Sequence, residues 1–109
     1  MTRHIHYSVY VVRLKDSIKQ FDKVFQLNKN RDLDLPCVYV GMTGLPPVDR
    51  LKNHLKGYKS SGWVHKYGLS LMPKLYKGLN PMSYRDAVKM EVELAEKLRQ
   101  QGYTVVGGH

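Results

Sequence analysis

Glu91 stands where a carboxylate is least expected, on the apolar face of the last long helical segment. From Ser83 to Gln101 apolar residues recur at helical spacing, at Ala87, Met90, Leu94, Ala95 and Leu98. Glu91 follows Ala87 by four residues and precedes Leu94, Ala95 and Leu98 by three, four and seven, so it points where they point. Glu93 and Glu96 fall on the opposite, solvated side. A carboxylate taken out of water needs a cation or hydrogen bonds. Two partners fit: a divalent metal held against a phosphate, or a neighbouring Arg or Lys in a structural ion pair. An earlier helix carries Arg50 and His54, four apart and therefore on one face. Val48, Leu51 and Leu55 form the adjacent apolar stripe, while Lys52, Asn53 and Lys56 face away. Two tyrosines, Tyr10 in Ser8-Val9-Tyr10 and Tyr39 in Tyr39-Val40-Gly41, lie on β-rich segments. Taken singly, the tyrosines read as strand residues packing a sheet, and Arg50 and His54 as a solvated helix face.

The elements that must position these groups follow in order. His6 to Leu14, rich in Tyr and Val, predicts a strand. Lys15 to Asp34 carries apolar residues at Ile18, Phe21, Val24, Phe25 and Leu27 and suits a short amphipathic helix. Pro36 to Gly41 predicts a second strand, ended by a turn at Met42-Thr43-Gly44. Pro46 and Pro47 open a helix that Gly57 closes. Tyr58 to Gly68 reads as a basic, aromatic and Ser/Gly loop or short helix, and Leu69 to Leu79 is expected to hold a third strand around Met72 to Tyr76. Ser83 with Asp86 resembles a capping box before the long helix, Gly102 stops that helix, and Tyr103 to Val106 forms an end strand. Gly107-Gly108-His109 reads as a frayed tail. The order β, helical insert, β, α, β, α, β implies a small α+β domain with a mostly antiparallel sheet.

The 109 residues suffice for one domain, taken here as 1–109, and the 42% hydrophobic content is ordinary for a globular chain. Eighteen Lys and Arg against nine acidic residues give a formal charge of +9, which favours a polyanionic partner, most often nucleic acid. The single cysteine, Cys37, excludes an internal disulfide and a cysteine zinc site, and reads as a small buried hydrophobe. No segment has signal-peptide or membrane-spanning character, so a soluble, cytoplasmic protein is expected.

The ordered set Ser8-Val9-Tyr10, Tyr39-Val40-Gly41, Arg50-x-x-x-His54 and a helical Glu91 resembles the GIY-YIG nuclease family. Ser replaces Gly in the first tripeptide and Val replaces Ile in the second. The resemblance covers nearly the whole chain except residues 15–34. This chain departs in that insert, in Met42 where some members carry Lys, and in having no clear counterpart of the Asn many members have after the Glu helix. The resemblance implies a small GIY-YIG-like α+β domain: a mostly antiparallel three-stranded central sheet flanked by helices, with a helical insert between the first two strands. It implies an endonuclease hydrolysing phosphodiester bonds, in DNA ahead of RNA, with a 5′-phosphate product. Glu91 would hold one Mg²⁺ or Mn²⁺, and Arg50 the non-bridging phosphate oxygens. Tyr10 would position or deprotonate the attacking water, Tyr39 would hydrogen-bond phosphate or water, and His54 would accept or relay the proton. Apart from the resemblance, Lys52, Lys56, Lys59, Trp63, His65 and Lys66 mix cations with rings in the manner of a nucleic-acid surface, although Trp63 serves equally as a core anchor. His4 and His6 share a strand face and read as exposed terminal histidines. The alternatives are a catalytically weak or inactive nucleic-acid-binding module of the same fold, and a basic protein with an acidic protein partner.

Overall fold

A sheet of four strands, in the order β3-β1-β2-β4, forms the centre of the protein; the computed structural model describes residues 5–108. β1 is Ser8–Leu14, β2 Cys37–Thr43, β3 Gly68–Leu71 and β4 Thr104–Gly107. The helices are α1 (Asp22–Leu27), α2 (Pro47–Lys56), α3 (Gly62–Tyr67) and α4 (Tyr84–Gln100). β1 pairs antiparallel with β2 and β3, as expected for the three-stranded part. β4 adds a fourth strand and runs parallel to β2, so the sheet is mixed. The fold is therefore α+β, with one strand more than the expected central three. Val9, Val11, Val38, Val40, Val105 and Val106 are buried in the sheet, and β-branched side chains suit that pleated surface.

Local signals placed most helix ends. Gly57 closes α2 in the left-handed region, at φ 85°, where a glycine costs little. Ser83 caps α4, its hydroxyl accepting the Asp86 N–H at 3.1 Å. The third strand lies at Gly68–Leu71 and not at Met72 to Tyr76. Pro73 lacks the N–H a strand would donate, and the chain turns into a 3-10 helix over Pro73–Leu75. β2 runs on through Met42 and Thr43, so the turn begins at Gly44.

The 15–34 insert folds as a 3-10 helix, Asp16–Gln20, followed by the six-residue α1. Its buried Asn28 works as a surrogate strand. The side-chain amide accepts the Val105 N–H at 2.8 Å and donates to the Val105 carbonyl at 2.9 Å. That pairing satisfies part of the outer edge of β4, which would otherwise offer open backbone groups to another chain. Cys37 is fully buried, and burial pushes its thiol up to about 12, in keeping with a packing role. The expected frayed tail is ordered through Gly108. Gly107 pairs with Val40, and a Cβ on Gly108 would stand 2.3 Å from that of Ala95, so only glycine lets the chain end pass beneath α4. His4 and His109 lie outside the described residues; His6 is exposed, its Nδ1–H donating to the Gly44 carbonyl at 3.1 Å. No helix among the described residues is long and apolar enough to cross a membrane.

Candidate active site

The register of β1 and β2 brings the tyrosines together. Tyr10 lies opposite Gly41 and Tyr39 opposite Val12, so the two side chains are diagonal neighbours on one face. Their ring centroids are 6.2 Å apart. Gly41 makes this possible: a Cβ there would stand 2.7 Å from the Tyr10 ring and 2.8 Å from the Tyr39 ring. Gly107 does the same for the other side of Tyr39, where a Cβ would stand 2.7 Å from that ring. We expect Gly41→Ala to destabilise the fold by about 1–3 kcal/mol through overpacking. The Tyr10–His54 proton signal in NMR spectra should shift with it. An unchanged signal at unchanged stability would show that the rings are not held there by Gly41.

α2 is turned toward these tyrosines by its polar residues. His54 is 0% exposed, whereas Val48 and Leu55 are 55% and 44% exposed. The expected apolar stripe of Val48, Leu51 and Leu55 is therefore not the buried face; of the three only Leu51 packs on the core. What α2 buries is the Pro47, Arg50, Leu51 and His54 side, with His54 replacing an apolar anchor. A helix oriented against its own hydrophobicity marks a place where something besides core packing decided the arrangement.

Hydrogen bonding fixes the tautomer of His54. The Ser61 backbone N–H donates to His54 Nδ1 at 3.0 Å, so Nδ1 carries no proton. The proton of the neutral ring is therefore on Nε2, 2.7 Å from the Tyr10 hydroxyl, and donates to it. In this state His54 is a donor to Tyr10 and not an acceptor from it. Burial first, and then the Arg50 charge, push its pKa down to about 4, so the ring is neutral at physiological pH.

The sign of the resulting pH dependence is fixed. The unfolded chain binds a proton at this histidine below about 6.5, and the folded chain does so only near 4. Stability is complete above pH 6.5 and is lost as pH falls toward 4, by roughly 3 kcal/mol. Urea midpoints measured across that window should show the decline, and His54→Gln should flatten it.

The phenols are held in their protonated forms. Burial, followed by the neighbouring Tyr39, raises the Tyr10 pKa well above the ordinary tyrosine range, against the opposing charge and hydrogen bond of Arg50. Tyr39 is raised by burial and then by the Glu91 carboxylate, while Ser61, Arg50 and Tyr10 act in the lowering direction. Glu91 is thus electrostatically in touch with the tyrosine cluster from α4, half-buried beside buried Ala87, Leu94 and Ala95. Arg50 is half-buried, and one guanidinium nitrogen donates to the Lys59 carbonyl at 2.7 Å. Lys59 has φ 45°, a backbone position L residues seldom adopt.

Tyr10, Tyr39, Arg50, His54 and Glu91 accordingly form one constellation. Among the described residues no group of three or more His, Cys, Asp or Glu is placed to hold a metal ion. The expected nucleic-acid surface divides. Lys52 and Lys56 lie exposed on the far side of α2, away from the tyrosines. His65 is exposed but donates from Nδ1 to the His54 carbonyl at 3.1 Å, which pins α3 to the end of α2. Lys59 is exposed beside the Tyr58 ring. Trp63 and Lys66 stand together on α3, with Trp63 half-buried against the core. Sequence reasoning missed Ser61, which caps α3 through Trp63 N–H, orients His54 and acts on Tyr39. Its signal was a serine just ahead of a helix start. Comparison with protein-family models, with curated proteins and with solved structures gave no match.

Proposed function

We propose that this protein is a divalent-metal-dependent endonuclease of GIY-YIG type, hydrolysing phosphodiester bonds in DNA ahead of RNA. The observation supporting this most is the convergence around one face of the sheet of a buried Tyr10–His54 pair, a second tyrosine, a half-exposed guanidinium and a helical carboxylate. Phosphodiester hydrolysis needs an activated water, relief of negative charge on the phosphate oxygens, and a stabilised leaving oxygen. Glu91 would hold a Mg²⁺ or Mn²⁺ ion, a hard cation whose remaining positions take water and phosphate oxygens, and the ion when bound would supply charge relief at the phosphate.

The remaining work belongs to the chain's own groups. Arg50, which donates to the Lys59 carbonyl and to the Tyr10 hydroxyl, offers its remaining donors and its charge to the non-bridging oxygens. Tyr10, as phenolate, takes the proton of the attacking water. The His54 Nε2–H and the Arg50 charge both favour that phenolate, while burial opposes it. His54 therefore stabilises and orients the base, in place of the accepting role the resemblance suggested. Tyr39, raised by burial and the Glu91 carboxylate, stays a phenol and donates to phosphate or water. The net charge of +9 draws the polyanion to the surface. Arg50→Ala and Glu91→Gln should each abolish metal-dependent cleavage while the protein stays folded and still binds. Binding without cleavage by wild type, at any metal concentration, would leave a nucleic-acid-binding module of the same fold.

A further inference from the structure

The insert and α3 enclose an open cleft of about 490 Å³ that the hydrolysis chemistry does not use. It is lined by Phe21, Lys23, Gly62, Trp63, Lys66 and Tyr67. Trp63 and Tyr67 are four residues apart on α3 and share a face, and Phe21 comes from the insert. The three rings form a triangle, each pair of centroids 6.1 Å apart. Lys23 Nζ lies 4.9 Å over the Trp63 ring, and Lys66 Nζ lies 5.8 Å from the centre of Tyr67. Both are within range of a cation–π contact. The cluster is open to solvent on one side, although Trp63 and Tyr67 also pack on the core. Here Phe21 remains 38% exposed, both lysines are exposed, and a Cβ on Gly62 would meet nothing within 4 Å.

Resting on the nucleic-acid reading above, we infer that this cleft receives an unpaired nucleobase of the substrate. The base stacks on the aromatic wall, and Lys23 and Lys66 turn from the rings to the flanking phosphates. Every base has a π face that an aromatic side chain can cover, whereas bases in continuous duplex are already stacked on one another. The cleft thereby selects single-stranded or branched nucleic acid over uninterrupted duplex. Its position suits that role. Ser61, whose amide holds His54, precedes Trp63 by two residues. That is at most about 7 Å of backbone, so the cleft opens beside the segment that holds His54.

Trp63 is the sole tryptophan, so its fluorescence reports the cleft directly. The protein is titrated in chelator, where cleavage plays no part. The probes are an oligothymidylate single strand, a blunt mixed-sequence duplex and inorganic polyphosphate. The single strand should quench Trp63, and polyphosphate should bind with little quenching. Phe21→Ala, at an exposed position, should weaken the single strand about tenfold and leave the duplex unchanged, whereas Lys23→Ala should weaken both. Single-strand binding without quenching, or with wild-type affinity in folded Phe21→Ala, overturns the base-binding role and leaves the nuclease proposal standing. Equal quenching by polyphosphate also overturns it, because charge alone would then account for the signal. Failure of both oligonucleotides to bind would overturn the cleft and the nucleic-acid reading together. Quenching by the single strand, with no cleavage when metal is restored, sinks only the nuclease.

Discussion

Glu91→Gln should lower the rate of phosphodiester cleavage by about a thousandfold or more, because it removes the proposed metal's one protein carboxylate. The substitution keeps the side chain's shape, and the half-buried position should accept an amide without unfolding. Nucleic-acid affinity in chelator should hold or rise, since a negative charge facing phosphate is gone. A second readout tests the electrostatics apart from activity. The Glu91 carboxylate is the second-largest cause of the raised Tyr39 pKa, after burial. Titration of Tyr39, followed by ultraviolet difference spectra against a Tyr39→Phe control, should therefore move to lower pH in Glu91→Gln. Unaltered cleavage in Glu91→Gln would remove the metal site from this account. An unaltered Tyr39 titration would show that α4 does not bring its carboxylate to the tyrosines.

The second large effect is expected for Tyr10→Phe. A positioned general base contributes about a hundredfold to ten-thousandfold, and the loss should fall in that range with substrate affinity kept. The wild-type rate should also climb about tenfold per pH unit between pH 7 and 9, since burial keeps the phenol protonated there and the phenolate is scarce. That slope should vanish in Tyr10→Phe. The variant carries a structural cost as well, because the His54 Nε2–H loses its acceptor in a fully buried position. About 1–3 kcal/mol of stability should be lost, which denaturant melts will separate from the rate effect. A flat pH–rate profile in wild type would assign Tyr10 to holding His54 rather than to the water.

Most of what the residues disclosed in advance was local. The Tyr- and Val-rich runs, the prolines opening α2, Gly57 and the Ser83 cap depend on neighbours a few positions away, and these held. The parallel pairing of β4 with β2 depends on a return past α4 across more than sixty residues of chain, which no short-range pattern encodes. Periodicity pointed α2 inward along Val48, Leu51 and Leu55. The observed helix instead buries His54, because a hydrogen bond to Tyr10 and one from Ser61 satisfy both ring nitrogens. Pro73 was legible as a strand breaker but was placed inside the expected third strand, which shifted that element by four residues at its start. Asn28 gave no sign in sequence of its pairing with Val105, a contact between residues 77 apart. The five candidate residues of the site were named from order and type; their meeting rests on register, on Gly41 and on Ser61.

The most direct test is a single cleavage experiment with supercoiled plasmid, single-stranded DNA and RNA, each with Mg²⁺, with Mn²⁺ and with chelator, beside Glu91→Gln and Arg50→Ala. Cleavage by wild type that needs the metal, is abolished by chelator and is lost in both folded variants is the predicted result. Folded wild type that binds these substrates and cuts none of them in either metal, or cutting that persists in chelator or in Glu91→Gln, would contradict the proposal of a metal-dependent nuclease.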